Sequence, residues 1–224
     1  MIRDMCRSWN SVINSNFPNA KTIIDSFHAI RRMQKKLYDN EYVPRRKHYL
    51  KITENKEAIA KKTKKEKDKQ DAVKARKISS HIFRSRFLWR KGRENICTER
   101  KKDKPSDKER LNRLFEIDAH FKETYELKEK FRDIYKSKNR KDAEENLKRF
   151  RALCADNYKY LIRTLDQNES EILNLFTEDG VVDVKHWPEQ LIEQMREFER
   201  KRGAFRALNS WEMLIDMLLE RVDD

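Results

Sequence analysis

The chain has 224 residues, 41% of them charged, with a formal net charge of +14 and only three glycines. That composition argues against an extensive sheet and against a glycine-rich loop that cradles phosphates, and it favours long helices with solvated faces in one domain with an insertion or in two small domains. The excess of lysine and arginine suits a polyanionic partner, because cations bound to phosphates release condensed counterions, yet it does not by itself separate DNA from RNA or an anionic membrane.

In chain order, a short apolar segment carries Asp4 and is followed by helical spacing at Trp9, Val12 and Ile13, the turn Phe17-Pro18-Asn19-Ala20, and an apolar segment from Ile23 to His28. The order reads as strand, helix, strand, with carboxylates emerging at strand ends, where α/β folds hold metals and substrates. On the residues alone, Asp4 is either a cap for the helix after it or a metal-directed carboxylate. Asp25 is a second carboxylate able to approach such a site, His28 reads as a hydrogen-bonded structural residue, and Phe27 reads as core. Ile30, Met33 and Leu37 form an apolar stripe, with Arg31, Arg32, Lys35 and Lys36 on other positions, so a helix is expected here, packed on the sheet. Tyr42-Val43-Pro44 is expected to interrupt or redirect it.

A basic stretch begins at Arg45-Arg46-Lys47, and residues 61–69 have few apolar side chains. They read as a solvated helix or linker, or as an arm that contacts phosphates. From His81 to Arg93 aromatics alternate with cations, and Arg84, Arg86, Arg90, Lys91 and Arg93 are the candidate nucleic-acid contacts. The competing reading puts Phe83, Phe87 and Trp89 into a helical core with the charges reaching solvent, and both readings can hold on opposite faces.

Ser106-Asp107-Lys108-Glu109 has capping-box spacing after Pro105 and opens an amphipathic run through Leu111, Leu114, Phe115, Phe121, Tyr125, Phe131, Ile134 and Tyr135, as one helix or two abutting ones. After Asn139, Ala143, Leu147, Phe150 and Cys154 share a face, and a further helical set from Tyr158 to Phe176 completes a bundle. Near the end, Leu191, Ile192, Met195 and Phe198 stripe one helix, Gly203 ends it, and Asn209-Ser210-Trp211-Glu212 starts another. Glu189, after Pro188, stands at the start of that penultimate helix, where a carboxylate favourably meets the dipole.

The opening order of Asp4, the aromatic-containing helix, Phe-Pro-Asn-Ala and Asp-x-Phe-His closely resembles the ISL-type bacterial insertion-sequence transposases. The stretch Tyr125-Glu126-Leu127-Lys128-Glu129-Lys130-Phe131-Arg132-Asp133-Ile134-Tyr135 is similar to that family's Tyr-x-Leu-Lys-Glu-x-Phe-Arg-x-x-Tyr signature, and the resemblance extends to roughly Phe176. It implies an RNase H-like fold with an Asp-Asp-Glu triad, Mg²⁺ or Mn²⁺ as cofactors, and cleavage of transposon ends with strand transfer to target DNA. It makes Asp4 the second acid of the triad and a metal ligand, brings Asp25 toward the metal, and makes Glu189 the candidate third acid. In the family the first acid lies on a strand further upstream, and around Glu189 the flanking Asn-Gly, Gly and Asn of the family motif are missing. The chain is therefore expected to be the later portion of a transposase and catalytically incomplete.

The expected fold class is α/β and predominantly helical, a partial RNase H-like core with a large all-helical insertion. Residues 1–44 are assigned to the core, 45–80 to a basic helical or linker segment, 81–177 to the insertion and 178–224 to a C-terminal helical hairpin. Expected partners are transposon-end DNA and a second copy or an intact transposase. The alternatives are a non-enzymatic basic helical protein that binds DNA or a transposase, and a structural module with an unrelated partner. Cys6, Cys97 and Cys154 are widely spaced without a Cys-x-x-Cys pair, which argues against zinc. With no signal-peptide pattern and no apolar stretch of spanning length, the expected location is the cytoplasm, on the bacterial nucleoid when DNA is bound, with no membrane partner.

Overall fold

A computed structural model describes residues 2–3, 21–99, 104–154 and 157–182, the first two through their backbone. The chain divides into two compact units, Met1–Val181 and Val182–Asp224, and the architecture that follows is that of the first. It is predominantly helical. Strands β1 (Ile2–Arg3) and β2 (Ile23–Ile24) pair in parallel, with Ile2 opposite Ile23 and Arg3 opposite Ile24.

Helix α1 (Ser26–Leu37) starts immediately after β2, so the strand is shorter than the sequence led us to expect and His28 lies in the first helical turn. Asp25 is the N-cap, and its carboxylate accepts from the His28 backbone N–H at 2.9 Å. Ala29, Met33 and Leu37 are buried, while Lys35 and Lys36 sit in the last turn, where cations complement the helix dipole. Phe27 corrects our core assignment. It is 56% exposed because its position falls on the opposite face from Ala29 and Met33, and Arg31 covers its ring at 6.0 Å. The buried stripe of α1 packs against α5 (Ala119–Ile134), whereas β2 lies against α8 (Glu169–Leu173).

Val43-Pro44 does not redirect the chain. Residues Tyr38–Tyr42 form a π-helical turn in which the Val43 N–H bonds the Tyr38 carbonyl, and α2 (Val43–Thr63) continues from it with helical dihedrals. Pro44 falls at the first positions of α2, where the wider turn removes the demand for its missing N–H. Tyr38 and Tyr42, four residues apart, lie on one side of the turn, with rings stacked 5.2 Å apart. Tyr42 is buried against Trp89 and Phe121, at 5.3 and 4.9 Å, and its hydroxyl donates to the Ile82 carbonyl at 2.6 Å.

Helices α2 and α3 (Glu66–Arg90) pack along each other as a hairpin. Residues expected as a solvated helix, linker or arm prove to be the hairpin's tip, turned by Lys64 in the left-handed conformation at φ 57 and by extended Lys65. The capping box forms in full at the start of α4 (Asp107–Ile117), with the Ser106 hydroxyl accepting from the Glu109 N–H and the Glu109 carboxylate accepting from the Ser106 N–H. Asp118 then caps α5, so the run from Leu111 to Tyr135 is two abutting helices. α6 (Arg140–Cys154) buries Ala143, Leu147, Phe150 and Cys154, and α7 (Lys159–Asp166) buries Leu161 and Leu165, as their spacing predicts.

The end of α3 is fixed by α5. Lys128 reaches the Trp89 carbonyl at 2.9 Å and the Lys91 carbonyl, capping backbone acceptors that the helix leaves unpaired. Its ammonium lies 3.0 Å from Glu129 and 4.0 Å from the centre of the Tyr125 ring, and the two charged side chains are 2% and 1% exposed. The Lys128–Glu129 contact is an ion pair without hydrogen-bond alignment, because Glu129 Oε1 has no aligned donor, while Oε2 accepts from the Arg93 N–H at 3.1 Å. Burial lowers the Lys128 ammonium to about 8, with Glu129 raising it in opposition, so it remains mainly charged at neutral pH.

Replacing Lys128 with methionine removes the nearer of two cations from the buried Glu129 carboxylate, leaving Arg132 at 3.7 Å, and should lower the unfolding free energy by about 3 kcal/mol in urea titrations. The folded ammonium titrates near 8 against an ordinary 10.5. Between those values the unfolded chain binds more protons, so this group's contribution rises with pH. Wild type should therefore gain stability relative to Lys128→Met as pH rises from 8 toward 10; a flat difference would contradict this placement.

Candidate nucleic-acid interface

Helix α3 has two characters because its side chains fall on opposed faces. Ile82, Ser85, Leu88 and Trp89 are buried, and the Trp89 indole N–H donates to the Phe121 carbonyl at 3.2 Å. Phe83 and Phe87, four residues apart, remain 46% and 57% exposed. Core and surface readings of the aromatic segment thus both hold: Trp89 anchors the helix and the two phenylalanines stay outside.

Arg86 lies between those rings. Its guanidinium is 4.0 Å from the Phe83 centroid and 4.2 Å from that of Phe87, and it donates to the Phe83 carbonyl at 2.8 Å. Arg46 on α2 approaches Phe83 from the other helix of the hairpin at 5.1 Å. The result is a surface that combines two exposed aromatic rings with two guanidinium groups, a combination suited to stacking on bases and bonding phosphate oxygens.

The other candidate cations do not gather at that surface. Arg90 stacks over Tyr38 at 3.8 Å, on the aromatic cluster that joins α1 to α3. Lys91 is paired with Asp107 at 2.8 Å, which ties the end of α3 to the start of α4. Arg93 contributes its backbone N–H to Glu129, and its side chain is exposed. Arg84 lies on the neighbouring flank of α3, toward α4. Sequence reading missed the contribution of Arg46: a basic run marks it as charged, but only the antiparallel packing of α2 on α3 brings it to Phe83.

Asp25 is engaged as the cap of α1. One carboxylate oxygen serves both the His28 N–H and the His28 imidazole Nδ1, each at 2.9 Å, and the side chain is mostly covered. Burial, with the nearby Asp25 charge adding, pushes the Tyr135 phenol well above its ordinary range. Among the described residues no three His, Cys, Asp or Glu side chains come together as a metal site, so these residues alone do not fit a divalent pair. Asp4 and Glu189 lie outside the described residues.

The sequence profile of the ISL3-type DDE family, described as Transposase, matches residues 1–183. No curated protein and no solved structure matches the chain.

The division of the aromatics is directly measurable. Phe83→Ala and Phe87→Ala should each change the unfolding free energy by less than about 1 kcal/mol, whereas Trp89→Ala should cost about 3–5 kcal/mol. Equal losses at all three positions would place the phenylalanines in the core.

Proposed function

Because the chain belongs to the ISL3-type DDE transposase family, we propose that it works in DNA transposition by presenting the outer face of α3 to transposon-end DNA. The exposed Phe83, Arg86 and Phe87 surface, with Arg46 beside it, carries this reading. Trp89 and the Lys128 cap hold the helix, so the stacking groups are ordered before DNA arrives and less conformational freedom is lost on binding.

In this proposal the β1–β2 pair with α1 belongs to an RNase H-like core, and helices α2 to α8 form the insertion that handles DNA. Asp4 and Glu189 are the proposed reaction carboxylates, with Asp25 beside Asp4. Mg²⁺ or Mn²⁺ held there would activate the attacking hydroxyl and stabilise the leaving oxygen of the phosphodiester. The chain's own cations orient the DNA, and the partner in that assembly is a second copy or another transposase chain. The engagement of Asp25 as a helix cap favours a second reading, a DNA-binding protein that acts with an active transposase and does not cleave.

Incubation of the chain with a transposon-end duplex separates the two. In the first reading, cleavage needs Mg²⁺ or Mn²⁺, and Asp4→Asn or Glu189→Gln lowers the rate at least about 100-fold, since metal-directed charge stabilisation is worth several kcal/mol and each 1.4 kcal/mol is tenfold. DNA affinity is unchanged in those variants but falls about tenfold in Phe83→Ala/Phe87→Ala, as loss of base stacking predicts. Salt-sensitive binding without cleavage supports the second reading. Absence of binding to any DNA contradicts both.

A further inference from the structure

The flank of α3 that faces α4 carries a second feature. Between α3 and α4 runs a trough formed of two adjoining hollows, of about 510 and 780 Å³, that share His81, Arg84 and Arg113. Arg76 and Lys77 line one end, and Lys104 and Arg110 the other. A single carboxylate, Glu109, borders it, and one of that group's oxygens accepts the Ser106 N–H of the capping box.

The cations here are poorly neutralised. Arg84 and Arg113 have no ion-pair partner among the described residues, and Arg110 is only 3.7 Å from Asp107, which lies closer to Lys91 at 2.8 Å. His81 fixes the width of the trough, since its Nε2–H donates to the Arg110 carbonyl at 2.9 Å and so joins α3 to α4. Burial lowers the His81 pKa, and Arg113 and Arg110 lower it further, so the ring forms a neutral wall at physiological pH. Like charges that outnumber the acids along a concave surface raise the local potential and attract an anion. Guanidinium groups favour phosphate oxygens, which they can bond two at a time.

We propose that the α3–α4 trough is a DNA-backbone clamp in which Arg84 and Arg113 hold phosphodiester groups. Helix α3 then has two DNA-facing sides, one that stacks bases through Phe83 and Phe87 and one that holds backbone regardless of sequence. The inference rests on the DNA-binding reading above. It adds a second contact region, on the α4 flank of α3 next to the aromatic surface, and assigns Arg113 a role.

The test is binding of the full chain to a fluorescent DNA duplex across a salt series. Arg84→Gln/Arg113→Gln should weaken binding about tenfold near 0.1 M salt, to the same extent for transposon-end and unrelated duplexes, and reduce the slope of log affinity against log salt by about 2, one unit per phosphate contact. Arg84→Lys/Arg113→Lys keeps the charges and should retain the slope. Phe83→Ala/Phe87→Ala should lower affinity and leave the slope in place. An unchanged slope in the glutamine variant overturns the clamp and leaves the aromatic surface standing. Tighter binding of an RNA duplex of equal length also overturns the clamp as a DNA site. No DNA binding by wild type removes the reading beneath it as well.

Discussion

The buried Lys128–Glu129 pair is the constraint on which the rest of the structure depends. An ammonium removed from water is tolerated here because it has four kinds of compensation at once: a carboxylate, two helix-end carbonyls, the Tyr125 face and the more distant Trp89 ring. In return it fixes where α3 ends and how the chain leaves it. Arg132 extends the arrangement by pairing with Glu94 just beyond, and Gly92 lies so close to the Arg132 guanidinium that a Cβ would meet it at 2.5 Å. The family-like signature on α5 therefore acts as a clasp for a neighbouring helix: Tyr125, Lys128, Glu129 and Arg132 face α3, while Phe131 packs on Phe150 and Tyr135.

A second anchor comes from the other side. The π-helical turn before α2 places Tyr38 and Tyr42 against Trp89, and Tyr42 bonds the Ile82 carbonyl in the middle of α3. Helix α3 is thus held by aromatic packing along one face and by a charged cap at its end. Its remaining positions are released from folding duty, and they are the ones that carry Phe83, Arg84, Arg86 and Phe87. Rigidity of the scaffold and availability of the contact groups have the same structural cause.

Much of this was legible where a single helix decides the outcome. The Ser106–Glu109 box and the stripe Ala143, Leu147, Phe150, Cys154 depend on local hydrogen bonding and on a 3.6-residue period, both written in neighbouring residues. Phe27 was misread because an aromatic after an apolar pair looks buried until the helix starts at Ser26 and turns it outward. Pro44 suggested a break because proline lacks a donor, and no short-range pattern announces a π-helical turn that relieves the need for one. Arg84 was visible as a cation, but its meeting with Arg113, like that of Arg46 with Phe83, was hidden for a different reason: these residues come together only through packing between separate helices. Lys91, by contrast, looked available and is held by Asp107 for the same reason.

The most direct test of α3 as the DNA-presenting element is site-specific photo-crosslinking. A photoreactive phenylalanine analogue is placed at Phe87, on the proposed surface, and at Leu153, an equally exposed apolar position on α6. With a labelled transposon-end duplex, the account expects a DNA adduct from position 87 that competing unlabelled duplex removes, and little from position 153. Adducts of equal yield from both positions, or from position 153 alone, would contradict it.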